Sequence, residues 1–239
     1  MYQFNFWNSI HLYRKKGLIL FILTLLVFNA NAQLGTTINL PKYDDKIMHY
    51  GFTIGVNSTR FKPVHSASFL SDSALVAQAT SSPGFSLGFI VSYKLAEFFD
   101  IRLQPTVAFY ERKMKYSFPN SPDVEQITES TFIEMPLLLK YKSQRRKNTR
   151  MYMIGGIKPG IEAGAKKKDK KANELRTNNI DFSIEYGFGF DFYYPLFKFA
   201  PEIRFSHGII NLLNDDPNIY SRSLNVLTTH TVSLFLNFE

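Results

Sequence analysis

From His49 to the end of the chain, apolar and polar residues alternate with a period of two, segment after segment. Period-two patterning puts successive side chains on opposite faces of an extended strand, so it restricts this chain to β-structure with one apolar and one polar face. The pattern is strongest over residues 180–194. There Ile180, Phe182, Ile184, Tyr186, Phe188, Phe190 and Phe192 oppose Asp181, Ser183, Glu185, Gly187, Gly189 and Asp191. It is nearly as clean where Phe85, Leu87, Phe89, Val91, Tyr93 and Leu95 alternate with Ser86, Gly88, Ile90, Ser92 and Lys94. Further segments begin at His49, Phe99, Ile133, about Arg150 (weaker and glycine-rich), Phe199 and Thr231. Each is about the 9–11 residues, or somewhat more, that cross a bilayer at a tilt.

Eight such segments could also make a soluble sandwich, which shows the same alternation. Two features favour a membrane barrel. The connections alternate in length: residues 58–82, 113–128, 163–179 and 211–223 are long, whereas 96–98, 143–149 and 195–196 are short. Outer-membrane barrels have this rhythm, with short periplasmic turns and long external loops. The final strand also ends in an aromatic residue, Phe238. The expected fold is therefore all-β: an eight-stranded antiparallel up-and-down transmembrane β-barrel, residues 49–239, with both termini periplasmic.

The first residues fit export. Arg14, Lys15 and Lys16 precede an apolar run over 17–28, and Ala30-Asn31-Ala32 follows. This is the basic, apolar and A-x-A order of a secretory signal, with Ala30 and Ala32 flanking a cut after Ala32. A membrane anchor is the other reading, but the run falls short of the about 20 apolar residues that span comfortably. Residues 1–32 are thus expected as a cleaved signal peptide and 33–48 as a polar periplasmic tether. The sequence has 23 Phe and 13 Tyr, a bias that suits strands and membrane interfaces. It has no Cys, which excludes disulfides, thiolate metal sites and cysteine nucleophiles.

The polar face holds the candidate site. Asp100, Arg102, Glu134, Lys140, Lys158, Glu162, Asp181, Glu185, Asp191, Glu202 and Arg204 would all point into the barrel. An eight-stranded lumen is just wide enough for side chains to fill, so a salt-bridged plug is expected rather than a conducting pore. His65, Ser66 and Ser68 are the one faint catalytic constellation, and adjacency in a loop does not make a triad. No enzyme activity, cofactor, metal, nucleic acid or small-molecule substrate is expected. His207 and His230 are expected to be packed or interfacial, and the Lys166–Lys171 cluster to be a solvated tip or a contact for lipid phosphate. Pro105, Pro136, Pro159 and Pro201 fall inside the strands, where each removes a ladder donor, so bulges are expected there.

Several segments resemble a known family. Thr131-Phe132-Ile133-Glu134-Met135-Pro136-Leu137-Leu138-Leu139-Lys140-Tyr141 is similar to the E-x-P-L-L-L-K-Y strand of Bacteroidetes outer-membrane barrels. His49-Tyr50-Gly51-Phe52, Asp100-Ile101-Arg102-Leu103-Gln104-Pro105, the stretch from Glu185 to Tyr193 and that from Phe197 to Arg204 resemble PorT more specifically. The PorT resemblance implies a component of the type IX secretion system, needed for protein export and, in gliding bacteria, motility. It implies other secretion subunits and outer-membrane lipid as partners, and carries no catalytic motif. A small general porin or membrane-stabilising barrel is the alternative.

Overall fold

In a computed structural model, residues 37–65, 76–118, 121–163, 177–214 and 224–239 are described. The signal peptide with Ala30 and Ala32, the Lys166–Lys171 cluster, and Ser66 and Ser68 lie outside them.

The strands are β1 (Met48–His65), β2 (Val76–Thr80), β3 (Ser82–Lys94), β4 (Phe99–Leu103), β5 (Thr106–Phe118), β6 (Ser121–Glu134), β7 (Leu137–Lys142), β8 (Thr149–Glu162), β9 (Ile180–Tyr193), β10 (Lys198–Gly208) and β11 (Leu224–Phe238). They form one antiparallel sheet of eight staves, because β2 with β3, β4 with β5, and β6 with β7 each continue one stave. The ring closes where β11 pairs with β1, from Phe52↔Phe238 to Val64↔Val226. Closure leaves no unpaired edge, which a sheet in hydrocarbon requires.

The alternation sorts as its chemistry demands. Tyr50, Phe52, Phe89, Met153 and Ile184 are among the large apolar residues exposed outward, while the polar face of each stave is turned into the lumen. This is the inverse of a soluble core, and it makes sense only when lipid surrounds the outer face.

The prolines do not produce bulges. Leu103↔Leu137 and Thr106↔Glu134 keep one register across Pro105 and Pro136. Each of three prolines keeps its acceptor bond: Phe89 N donates to Pro105 O at 3.0 Å, Gln104 N to Pro136 O at 3.0 Å, and Met135 N to Pro159 O at 2.9 Å. An antiparallel pair exchanges two bonds, so a proline removes one and leaves the register intact. Pro201 likewise stays in register, opposite Leu236.

The long connections also differ from expectation. Residues 113–128 are mostly ladder, since β5 and β6 stay paired from Lys113↔Ile127 to Tyr116↔Val124. β1 likewise runs on to His65, and β11 starts at Leu224. Above the bilayer both faces of a strand can be polar, so pairing continues after the apolar alternation has stopped.

Candidate functional site

The barrel's interior is its candidate site. Arg102 from β4 meets Glu202 from β10 at 3.1 Å, and Tyr152 from β8 donates to the same carboxylate at 2.8 Å. Glu202 also accepts from Arg204, whose guanidinium reaches Glu185 at 3.1 Å and the Gln104 side-chain oxygen at 2.9 Å. Lys158 bridges Glu185 and Glu134 at 3.3 and 3.1 Å, and Tyr110 donates to Glu134 at 2.8 Å. On the periplasmic side, Asp191 receives Lys140 at 2.9 Å and Arg150 at 3.3 Å. Lys198 links Asp191 to Glu239, which pairs with Arg102 at 3.0 Å. One continuous network therefore joins Lys140, Asp191, Arg102, Glu202, Arg204, Glu185, Lys158 and Glu134. Asp100 stands apart, 2.6 Å from Lys142.

Glu162 and Asp181 are buried toward the other end, where Asp181 accepts from Thr229 at 3.0 Å; no described cation pairs with either. Arg150, Lys198 and Glu239 belong to this network and Lys142 to the separate Asp100 pair, although the sequence reading does not single them out. Their signal was present: each is in phase with the polar face of its stave.

Small residues make room for the large ones. A Cβ on Gly189 would lie 2.5 Å from the Tyr152 ring, and one on Gly55 would lie 2.6 Å from Phe235. Those rings carry cations in turn: Lys140 Nζ sits 3.6 Å from the Tyr152 centroid and the Arg204 guanidinium 4.2 Å from that of Phe235.

Side chains fill the lumen, and the chain itself covers its periplasmic end. Residues 39–46, expected as a tether, instead turn across the periplasmic mouth. Tyr43 stacks on His49 at 4.1 Å between centroids and donates to Glu239 at 3.0 Å. Asp44 pairs with Arg150 at 3.0 Å and with Arg145 at 3.5 Å, and its carbonyl accepts from Lys94. Arg145 donates to the carbonyls of Asn39 and Leu40, while Asn39 binds Asn148 and the Tyr193 carbonyl. Partial burial alone would raise the Asp44 carboxyl, but Arg150 and Arg145 outweigh it and hold the group below its ordinary value. Burial, with the Glu239 and Asp191 carboxylates, pushes the Tyr43 phenol far upward, so it stays a neutral donor.

At the external end the lining turns apolar. Arg112 packs over Tyr110, Phe132 and Phe61. Beyond it Phe61, Met114, Tyr116, Leu224 and Leu227 form a buried cluster. His65 ends β1, far from the charge network, and His207 and His230 face outward, where their rings meet.

Taken together, an apolar exterior, a closed ring and a charged interior define an integral outer-membrane β-barrel. The sequence matches the family described as "Outer membrane protein beta-barrel domain" over residues 31–214. The chain belongs to that family, and its place is the outer membrane. No curated protein matches it. Among solved structures, Neisserial surface protein A aligns at 10% identity and TM-score 0.42, covering 80% of this chain and 98% of that one. OprG of Pseudomonas aeruginosa aligns at 15% and 0.41, covering 79% and 93%. Ail, the attachment invasion locus protein of Yersinia pestis, aligns at 14% and 0.34, covering 79% and 96%.

Proposed function

We propose that this barrel serves the type IX protein secretion machinery, and gliding motility where the host glides, as a structural or docking component without chemistry of its own. The observation that carries the reading is a lumen filled by a paired charge network and capped at its periplasmic end. A barrel filled this way offers its ends and its lipid-facing wall to partners rather than a path to solutes. The choice of machinery rests on the PorT-like segments, above all Glu185–Tyr193 and Phe197–Arg204. Other secretion subunits are then the expected protein partners. Deleting the gene in its host should abolish export of type IX cargo, and the wild-type gene should restore it. An unchanged secretome in the deletion strain would overturn the secretion role and leave a membrane-stabilising barrel. Solute flux into liposomes would favour a porin instead.

A further inference from the structure

One sector of the outer wall carries basic residues with no described carboxylate beside them. Arg60 on β1 stands in register with His230 on β11, which stands in register with His207 on β10. Lys62 lies one outward position further along β1, opposite Thr228. Arg60 and Lys62 are exposed, and no described carboxylate pairs with them. Elsewhere on the wall, the outward Lys113 is matched by Glu111 at 3.0 Å.

The two imidazoles are wired together. His207 Nδ1 lies 2.9 Å from His230 Nδ1, and the Tyr186 hydroxyl lies 3.0 Å from His207 Nε2. Two neutral rings can share that first contact only if one Nδ1 carries a proton and the other does not. When Tyr186 donates to His207 Nε2, His207 Nδ1–H donates to His230, and His230 retains Nε2–H as a free donor. An anion beside the patch selects this arrangement, because it needs donors and repels lone pairs.

Beneath, toward the periplasm, the outward side chains of the same three strands are apolar except for Ser58: Val232 and Leu234 on β11, Ile54 and Val56 on β1, Ile203 and Phe205 on β10. The eight residues from Phe238 to His230 rise about 20 Å along the membrane normal at the usual strand tilt. The basic patch therefore sits at the external border of an apolar band of about 25 Å. Lipid phosphates lie at that level. Arginine and lysine recognise phosphate by charge-assisted hydrogen bonds.

We infer that Arg60, Lys62, His207 and His230 bind the phosphate headgroup of an external-leaflet lipid, whose acyl chains lie along the apolar stripe below. A soluble acidic partner would leave that stripe unused. The inference does not depend on the secretion role.

The test uses the full-length folded barrel in detergent micelles, with native mass spectrometry after addition of bis-phosphorylated lipid A, the same lipid stripped of phosphate, or inorganic phosphate. The wild type should retain the phosphorylated lipid and not the stripped one. R60Q/K62Q should weaken retention about tenfold or more, whereas K42Q, exposed at the opposite end, should not. Both substituted side chains are exposed, and unchanged heat-modifiable gel migration verifies that the variant folds. Equal retention of stripped lipid, or wild-type retention by R60Q/K62Q, would overturn the site. Competition by inorganic phosphate at equal concentration would reassign it to a soluble anion and overturn the lipid.

Discussion

Arg102 and Glu202 meet at 3.1 Å across the lumen, from strands on opposite sides of the ring, with both side chains fully buried. The contact ties the third stave to the seventh through the barrel's interior rather than around its wall. Its neighbours Arg204, Tyr152 and Glu239 saturate the two groups, which is what keeps charges at this depth affordable.

Removing one member should therefore hurt more than removing the pair. E202L leaves Arg102 and Arg204 facing an apolar group and should lose about 3–5 kcal/mol of stability. R102M/E202L should recover part of that loss. Urea unfolding in lipid vesicles, followed by heat-modifiable gel migration, measures both.

The periplasmic cap should control access to the lumen. The chain has no Cys, so S92C reports on the buried polar wall without background. It should resist a polar thiol reagent in the wild-type cap and label readily once Y43A removes the ring that stacks on His49. Equal labelling in both would mean that residues 39–46 do not seal the mouth.

Acid should open the same cap. Asp44 has its folded value held below the ordinary 3.8 by Arg150 and Arg145. A depressed carboxylate contributes its stability above the unfolded value and loses it as pH falls through the folded one. S92C labelling should thus be flat above about pH 4 and rise below it. In D44N it should lose that acid step.

Packing between Gly189 and Tyr152 should be equally strict. A Cβ there meets the ring at 2.5 Å and the Pro201 carbonyl at 2.7 Å. G189A should cost about 1–3 kcal/mol, and Y152L should relieve part of it in the double variant. Additive losses would show that the two positions are not coupled.

The membrane-crossing part of this fold was legible because lipid enforces the alternation: Ile180 to Phe192 face out and Asp181 to Asp191 face in, with no exceptions to blur the phase. The same phase pointed to Asp100, Arg102, Glu134, Lys140, Lys158, Glu185, Asp191, Glu202 and Arg204 as lumenal. What it could not give was pairing, because Arg102 and Glu239 are 137 residues apart and meet only after closure. Lys142, Arg150 and Lys198 were passed over because they sit at stave ends, where apolar partners thin out. The cap was hidden for another reason. Tyr43 and Asp44 lie in an aperiodic polar stretch, and only the closed mouth gives them partners. The β5–β6 extension was hidden because charges such as Lys113 and Lys115 interrupt the apolar face while the backbone ladder continues.

A barrel filled and capped in this way should span the outer membrane without passing solutes. Planar-bilayer recording of the purified full-length protein tests it most directly. The wild type should insert without stepwise conductance, while a variant lacking residues 39–46 and carrying R102A and R204A should open channels. Stable ohmic channels from the wild-type protein would contradict the closed lumen and the docking role built on it.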